Sequence, residues 1–227
     1  MGVIFMAGAL SDWDFRETTT KVDKSSSFSL STDKAKTGSK SLKFQSSNVR
    51  LAAINQTYTN SNNGGKLTAW IYLPSSMSTY YLYFGLWAGA GWYTDNDLQN
   101  GIMSAIYHRP NSSIYQHYVG DFDTTGIFSS TGSKDYGSGE SWDDWYQLEH
   151  LWKISQNVDG RYQLSIFSKI YDSSSNVLSR FGHIGNPNDY YNIDRTSNGY
   201  GTEVSVGMYL YSNSPGYFYA DDFIAYE

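Results

Sequence analysis

The sequence predicts an all-β fold, a two-sheet antiparallel sandwich, and three observations carry the prediction. Apolar and polar residues alternate with a period of two along much of the chain, the spacing that separates the two faces of a strand. Clusters of Asn, Asp, Gly and Ser interrupt the alternation at short intervals, as turns between strands do. Aromatic residues make up 17% of the chain, with 21 Tyr, 11 Phe and 7 Trp against only 4 Pro, and such rings favour the pleated, half-buried surface of a sheet.

The elements follow in chain order. Residues 1–10 are apolar, lack a basic segment and run straight into Asp12-Trp-Asp14, so they read as a first buried strand in preference to a cleaved leader. Ser41-Leu-Lys-Phe44 alternates, and Leu67-Thr-Ala-Trp-Ile-Tyr-Leu73 is a near-continuous buried run closed by Pro74. Tyr80-Tyr-Leu-Tyr-Phe-Gly-Leu-Trp87 is aromatic on both faces. Strands are also predicted over 102–107, 114–119, 162–171, 204–211 and 217–226. Turns are predicted at 60–65, Thr131-Gly-Ser-Lys134, 157–160 and Ser173-Ser-Ser-Asn176. The lysine-rich stretch from Lys34 to Lys43 reads as a solvated hairpin. Two readings compete over 141–154. Ser141-Trp-Asp-Asp144 resembles a helix capping box, with Trp142, Trp145, Leu148 and Trp152 near helical spacing. Against it, Tyr146, Leu148, His150, Trp152 and Ile154 alternate with Gln147, Glu149, Leu151 and Lys153 over nine residues, and that pattern favours a strand. With no internal repeat, linker or shift in composition, residues 1–227 are expected to form one domain.

Composition excludes several functions. The net charge is −6 and the basic residues are scattered, which argues against a nucleic-acid footprint. There is no cysteine, so neither a disulfide framework nor a thiolate metal site exists. No stretch approaches the ~20 consecutive apolar residues of a membrane helix, and no membrane insertion is expected.

Catalytic spacing is missing as well. Glycan cleavage on a strand face uses carboxylates about two residues apart as nucleophile and acid/base, and no Glu-x-Asp-x-Glu or Glu-x-Asp-x-x-Glu occurs. The nearest groups, Glu140 with Asp143 and Asp144, and Asp121 with Asp123, sit in turn-like surroundings. His108, His117, His150 and His183 show no metal spacing, and His150 is expected as a hydrogen-bonded core histidine. One aromatic constellation remains. Trp87, Trp92 and Tyr93 flank Ala88-Gly-Ala-Gly91, with Tyr107, Tyr115 and Tyr118 nearby in sequence. Rings beside a loop of small residues suit stacking against a sugar or packing against a partner protein; the alternative is that they fill the core.

Three segments resemble a known family. The opening Gly2-Val-Ile-Phe-Met-Ala-Gly8 with Asp12-Trp-Asp-Phe15 is similar to the start of concanavalin A-like, laminin-G-like jelly-roll proteins of tailed phages. Trp145-Tyr-Gln-Leu-Glu-His-Leu-Trp152, Asp159-Gly160 and Tyr162-Gln-Leu-Ser-Ile166 resemble the paired middle strands of that family. Tyr219-Ala-Asp-Asp-Phe-Ile-Ala-Tyr226 resembles the closing strand of lectin-like jelly rolls and carbohydrate-binding modules. The resemblance implies a two-sheet antiparallel jelly roll. It also implies a non-enzymatic protein of the virion surface, a capsid decoration, fibre or tail component that pairs with other virion proteins or itself and touches cell-surface glycan. A carbohydrate-binding module or lectin, virion-borne or secreted, is the first alternative; a polysaccharide hydrolase or lyase is the second. By position in the closing strand, Asp221 with Asp222 would ligate a structural calcium ion.

Overall fold

The computed structural model describes residues 3–5, 14–17, 23–47, 50–59, 64–78, 80–89, 101–109, 114–122, 128–138, 142–156, 162–183, 192–193 and 203–226. The first strands are β1 (Val3–Phe5), β2 (Asp14–Glu17), β3 (Phe28–Ser31), β4 (Ser41–Ser47), β5 (Arg50–Thr59) and β6 (Gly64–Leu73). A run of long strands follows: β7 (Leu82–Gly89), β8 (Gly101–His108), β9 (Ile114–Phe122), β10 (Phe128–Ser138), β11 (Asp144–Gln156) and β12 (Tyr162–Tyr171). The last are β13 (Val177–His183), β14 (Asn192–Ile193), β15 (Glu203–Ser212) and β16 (Pro215–Tyr226).

They form two antiparallel sheets. The nine-stranded sheet runs β13-β12-β11-β6-β16-β4-β3, with β1 paired to β16 and β14 to β12; the seven-stranded sheet runs β10-β9-β8-β7-β15-β5-β2. The closing strand β16 thus lies in the middle of its sheet, between β6 and β4. Segments 146–154 and 162–171 are strands paired in register, which settles the helix–strand competition in favour of the strand.

The core lies between the sheets. Leu67, Ala69, Ile71 and Leu73 of β6 pack with Phe44, Leu148, Phe218 and Phe223 against Leu82, Phe84 and Leu86 of β7 and Met208 and Leu210 of β15. Phe44 meets Phe28 and Phe84 edge-on at 5.0 and 5.1 Å, and Phe84 meets Phe218 at 6.1 Å, a T-shaped chain across the sandwich. The predicted near-continuous burial of β6 is real: every residue from Leu67 to Leu73 is buried, on both faces of the sheet.

Two expectations need correcting. Thr131 to Lys134 is not a turn but the interior of β10, an edge strand. Its Gly132 sits at a register shift against β9, the usual place for glycine in a strand. The stretch from Lys34 to Lys43 does join the antiparallel hairpin β3–β4, yet it is only partly solvated. Three of its lysines, Lys34, Lys36 and Lys43, stand over rings of the nine-stranded sheet.

Candidate functional site

The two outer faces differ in what lies over their aromatic residues. On the nine-stranded sheet, Trp70, Tyr72, Trp145 and Tyr219 form one buried cluster, with Tyr72 edge-on to both Trp145 and Tyr219. The β3–β4 loop folds back across it. Lys34 Nζ stands 4.8 Å from the centre of the Tyr72 ring and Lys36 Nζ 4.1 Å from that of Trp70, cation–π contacts that cap the cluster. Asp221 anchors the loop: its Oδ2 accepts the backbone N–H groups of Lys36 and Thr37 at 2.8 and 3.0 Å, and its Oδ1 accepts that of Asp222 at 2.9 Å. Asp222, at φ 48° in the bulge of β16, accepts the Thr37 hydroxyl at 2.6 Å. Asp33 takes the Lys43 ammonium at 2.7 Å, which together with Ser31 holds its carboxyl below the usual range.

Asp221 and Asp222, the residues expected at a calcium site, are engaged by these hydrogen-bond donors. The Asp221 oxygens face hydrogen-bond donors, whereas calcium wants several further oxygens around it. Among the described residues no group of three or more His, Asp or Glu side chains is arranged to hold a metal.

The seven-stranded sheet carries an aromatic row on its outer face, with Tyr107 buried at 6% exposure, Tyr83 and Tyr211 half-buried and Tyr81 exposed. Cross-strand register places Arg50 opposite Tyr211, Tyr211 opposite Tyr83, Tyr83 opposite Tyr107, Tyr107 opposite Gln116, and Gln116 opposite Asp135. The Tyr83 and Tyr107 rings stack at 4.3 Å and 17°, Tyr81 lies parallel to Tyr107 at 6.5 Å, and Tyr211 tilts against Tyr83 at 6.1 Å. Tyr81, 41% exposed, is held at the end of the row by Asn213: its N–H donates to Asn213 Oδ1 at 2.8 Å, and Asn213 N–H returns a bond to the Tyr81 carbonyl. Exposed Arg109 closes that end, its Nε donating to the Tyr107 hydroxyl at 3.2 Å. Gly85 sits one register step inward, where a Cβ would lie 2.2 Å from the Ser104 carbonyl oxygen. The close approach of β7 to β8 beneath the row depends on that glycine.

Of the residues expected to contact glycan or a partner, Tyr107 belongs to this row. Trp87 shares the face but is only 1% exposed, packed with Met103, Ala105 and Tyr209, so its ring is not available as a platform in this conformation. Tyr115 and Tyr118 fall in β9, opposite His108 and Ala105; their side chains, and all of Trp92 and Tyr93, lie outside what is described. Tyr81, Tyr83, Tyr211 and Arg109 were not singled out from the sequence. The signal was there in the odd-numbered rings of Tyr80–Trp87 and in Tyr209-Leu-Tyr211, which share one strand face by parity.

Histidines and carboxylates with described side chains have structural partners. His150 Nδ1 meets the Ser104 hydroxyl at 2.6 Å across the sheets, as expected of a core histidine. His117 joins the hydroxyls of Ser168 and Ser179 at 2.8 and 3.0 Å; since the Ser168 hydroxyl donates to the Glu149 carbonyl, the neutral ring donates from Nε2 and accepts at Nδ1. His108 is buried edge-on against Trp142. Burial works against the charge on Glu149, but hydrogen bonds from Lys169 and Lys66 outweigh it and hold its carboxyl below the ordinary value. Asp143 accepts from the Ser75 backbone and the Tyr72 hydroxyl, and Asp144 from Trp145 N–H and the Ser173 hydroxyl. Asp143 lies in the bend before β11, and Asp144 is the first residue of that strand. Glu140 and Asp123 lie outside the described residues, as does the side chain of Asp121.

Two packed antiparallel sheets with this strand order form a concanavalin A-like jelly-roll sandwich, and solved structures share it. A lectin from Bauhinia forficata in complex with GalNAc superposes with a TM-score of 0.57 at 8% identity, over 99% of this chain and 97% of the lectin. An alginate lyase from Aplysia kurodai gives 0.54 at 13% identity over 88% and 87%, and the alginate lyase vAL-1 from Chlorella virus 0.52 at 11% over 96% and 93%. No family model matches the chain, and no curated protein matches it in sequence.

Proposed function

We propose that the chain is a carbohydrate-binding jelly roll that holds a saccharide on the outer face of its seven-stranded sheet, against Tyr81, Tyr83, Tyr107 and Tyr211. The observation that carries this reading is the asymmetry of the two faces. One aromatic cluster is capped by its own lysines, and the other runs out to an exposed tyrosine and a guanidinium. The likeness to a GalNAc-bound lectin and to alginate lyases supports a sugar as ligand. Binding is preferred to cleavage because His108, His117 and His150, the histidines with described side chains, are buried, and His117 and His150 hydrogen-bond across the sheets. Placement on a virion surface, which the sequence resemblance implies, is a further step of the proposal. The three structures named above do not bear on it, and its test is co-purification with intact particles.

The binding test is retention on a panel of immobilised polysaccharides. Tyr81→Ala is expected to weaken retention about tenfold, the scale of one lost ring contact. Tyr217→Ala, an exposed ring on the opposite sheet, is expected to leave it unchanged. Equal retention by both variants would overturn the assignment of the site.

A further inference from the structure

Resting on that reading, the geometry points to an acidic polysaccharide as the ligand, with Arg109 taking its carboxylate or sulfate group. The inner rings do not offer a flat platform. Tyr83 and Tyr107 stand on adjacent strands and turn their faces on each other at 4.3 Å, so neither offers that face to a ligand. Recognition here is polar, and stacking on an open ring face is left to Tyr81.

Arg109 supplies the charge. Its Nε is fixed on the Tyr107 hydroxyl and its guanidinium sits 5.6 Å from the Tyr107 ring centre. The charge has no acidic partner among the described residues: the ion pairs there join Lys43 to Asp33, and Lys66 and Lys169 to Glu149. The groups that act on Arg109 electrostatically are Tyr107, Tyr81 and Tyr83. A guanidinium pinned through Nε keeps its Nη edge for a two-pronged hydrogen bond, the geometry that carboxylate and sulfate match. The chain as a whole carries −6, so retention of a polyanion requires a local site and does not follow from bulk attraction.

The test uses matched pairs: polygalacturonate against its methyl ester, and dextran sulfate against dextran, each titrated at low and moderate salt. One acidic member is expected to bind at least tenfold tighter than its neutral counterpart, and which pair shows the difference identifies carboxylate or sulfate. Arg109→Gln is expected to abolish that preference, so that the acidic and neutral members bind alike, with the melting temperature unchanged. Arg109→Lys, which keeps the charge without the fork, is expected to fall between. Equal affinity for acidic and neutral members, or an acidic preference untouched in Arg109→Gln, would overturn the inference and leave the carbohydrate reading standing. Failure to bind any saccharide, neutral or acidic, would overturn both.

Discussion

The outer faces of the two sheets are built from the same materials and are covered differently. On the nine-stranded sheet, Trp70, Tyr72, Trp145 and Tyr219 are buried because residues 33–37 return over them, tied down by Asp221 and capped by Lys34 and Lys36. On the seven-stranded sheet, the row of Tyr211, Tyr83 and Tyr107 ends in Tyr81 and Arg109, both exposed. Abundance of rings does not define a contact surface. What decides is whether another segment of the chain has the donors and cations to lie across them. Asp221 supplies the acceptor that makes this possible on one face.

The largest expected effect removes both faces at once, through the histidines that join the sheets. Burial pushes the pKa of His150 down to about 3 from 6.5. Between those values the unfolded chain takes up a proton that the folded chain refuses. The stability that the neutral ring supports is complete above pH 6.5. It declines by about 1.4 kcal/mol for each pH unit below that and levels off near the folded value. Denaturant unfolding of the wild type and of His150→Gln, followed from neutral pH to about pH 4, reads the difference. The variant is expected to lose less stability on acidification. Equal slopes would mean that carboxylates account for the whole acid sensitivity.

How much of this was legible in the sequence follows from which interactions are local. Strands such as 162–171 and 217–226 announced themselves because alternation is a property of neighbouring residues, and so did the buried character of β6. β2, β3, β5, β10, β13 and β14 were missed. The run Phe128-Ser-Ser-Thr-Gly-Ser-Lys-Asp-Tyr-Gly-Ser138 has turn composition and is a strand because β9 supplies its ladder. The tyrosine row was half visible. Parity within 80–87 placed Tyr81, Tyr83 and Trp87 on one side, but whether that side faced the core or solvent depends on pairing with β8 and β15, where the partners of Trp87 and Tyr83 lie 16 and 24 residues away in β8 and 120 and 128 in β15. The role of Asp221 was not visible at all. Its partners lie 184 and 185 residues back along the chain, and nothing in Asp221-Asp222 itself separates an N–H anchor from a cation ligand.

A middle-sized effect sharpens the contrast between the faces. Asp221→Ala leaves the N–H groups of Lys36 and Thr37 without their acceptor and frees the loop. It is expected to cost about 2–3 kcal/mol, measured by urea unfolding. Tryptophan fluorescence is expected to shift to the red as Trp70 and Trp145 lose their cover. Saccharide retention at a temperature where the variant is folded is expected to match the wild type, because the tyrosine row lies on the other sheet. Loss of retention in the folded variant would show that the faces are coupled through the core and that the comparison drawn above is too simple.

The smallest expected effect is none, and it separates two accounts of the same pair of aspartates. If Asp221 and Asp222 held calcium, excess chelator would lower the melting temperature, since an ion bound only by the folded state stabilises it by mass action. The three backbone N–H groups on Asp221 and the Thr37 hydroxyl on Asp222 make a different prediction. The positive ends that these carboxylates need are already supplied by the chain, and a cation in the same place would have to displace donors at 2.6–3.0 Å. Melting in chelator and in added calcium is therefore expected to coincide. A chelator-induced drop that calcium restores, and that is absent in Asp221→Asn, would move the loop anchor from hydrogen bonding to metal ligation and make the cover over Trp70 a calcium-dependent one.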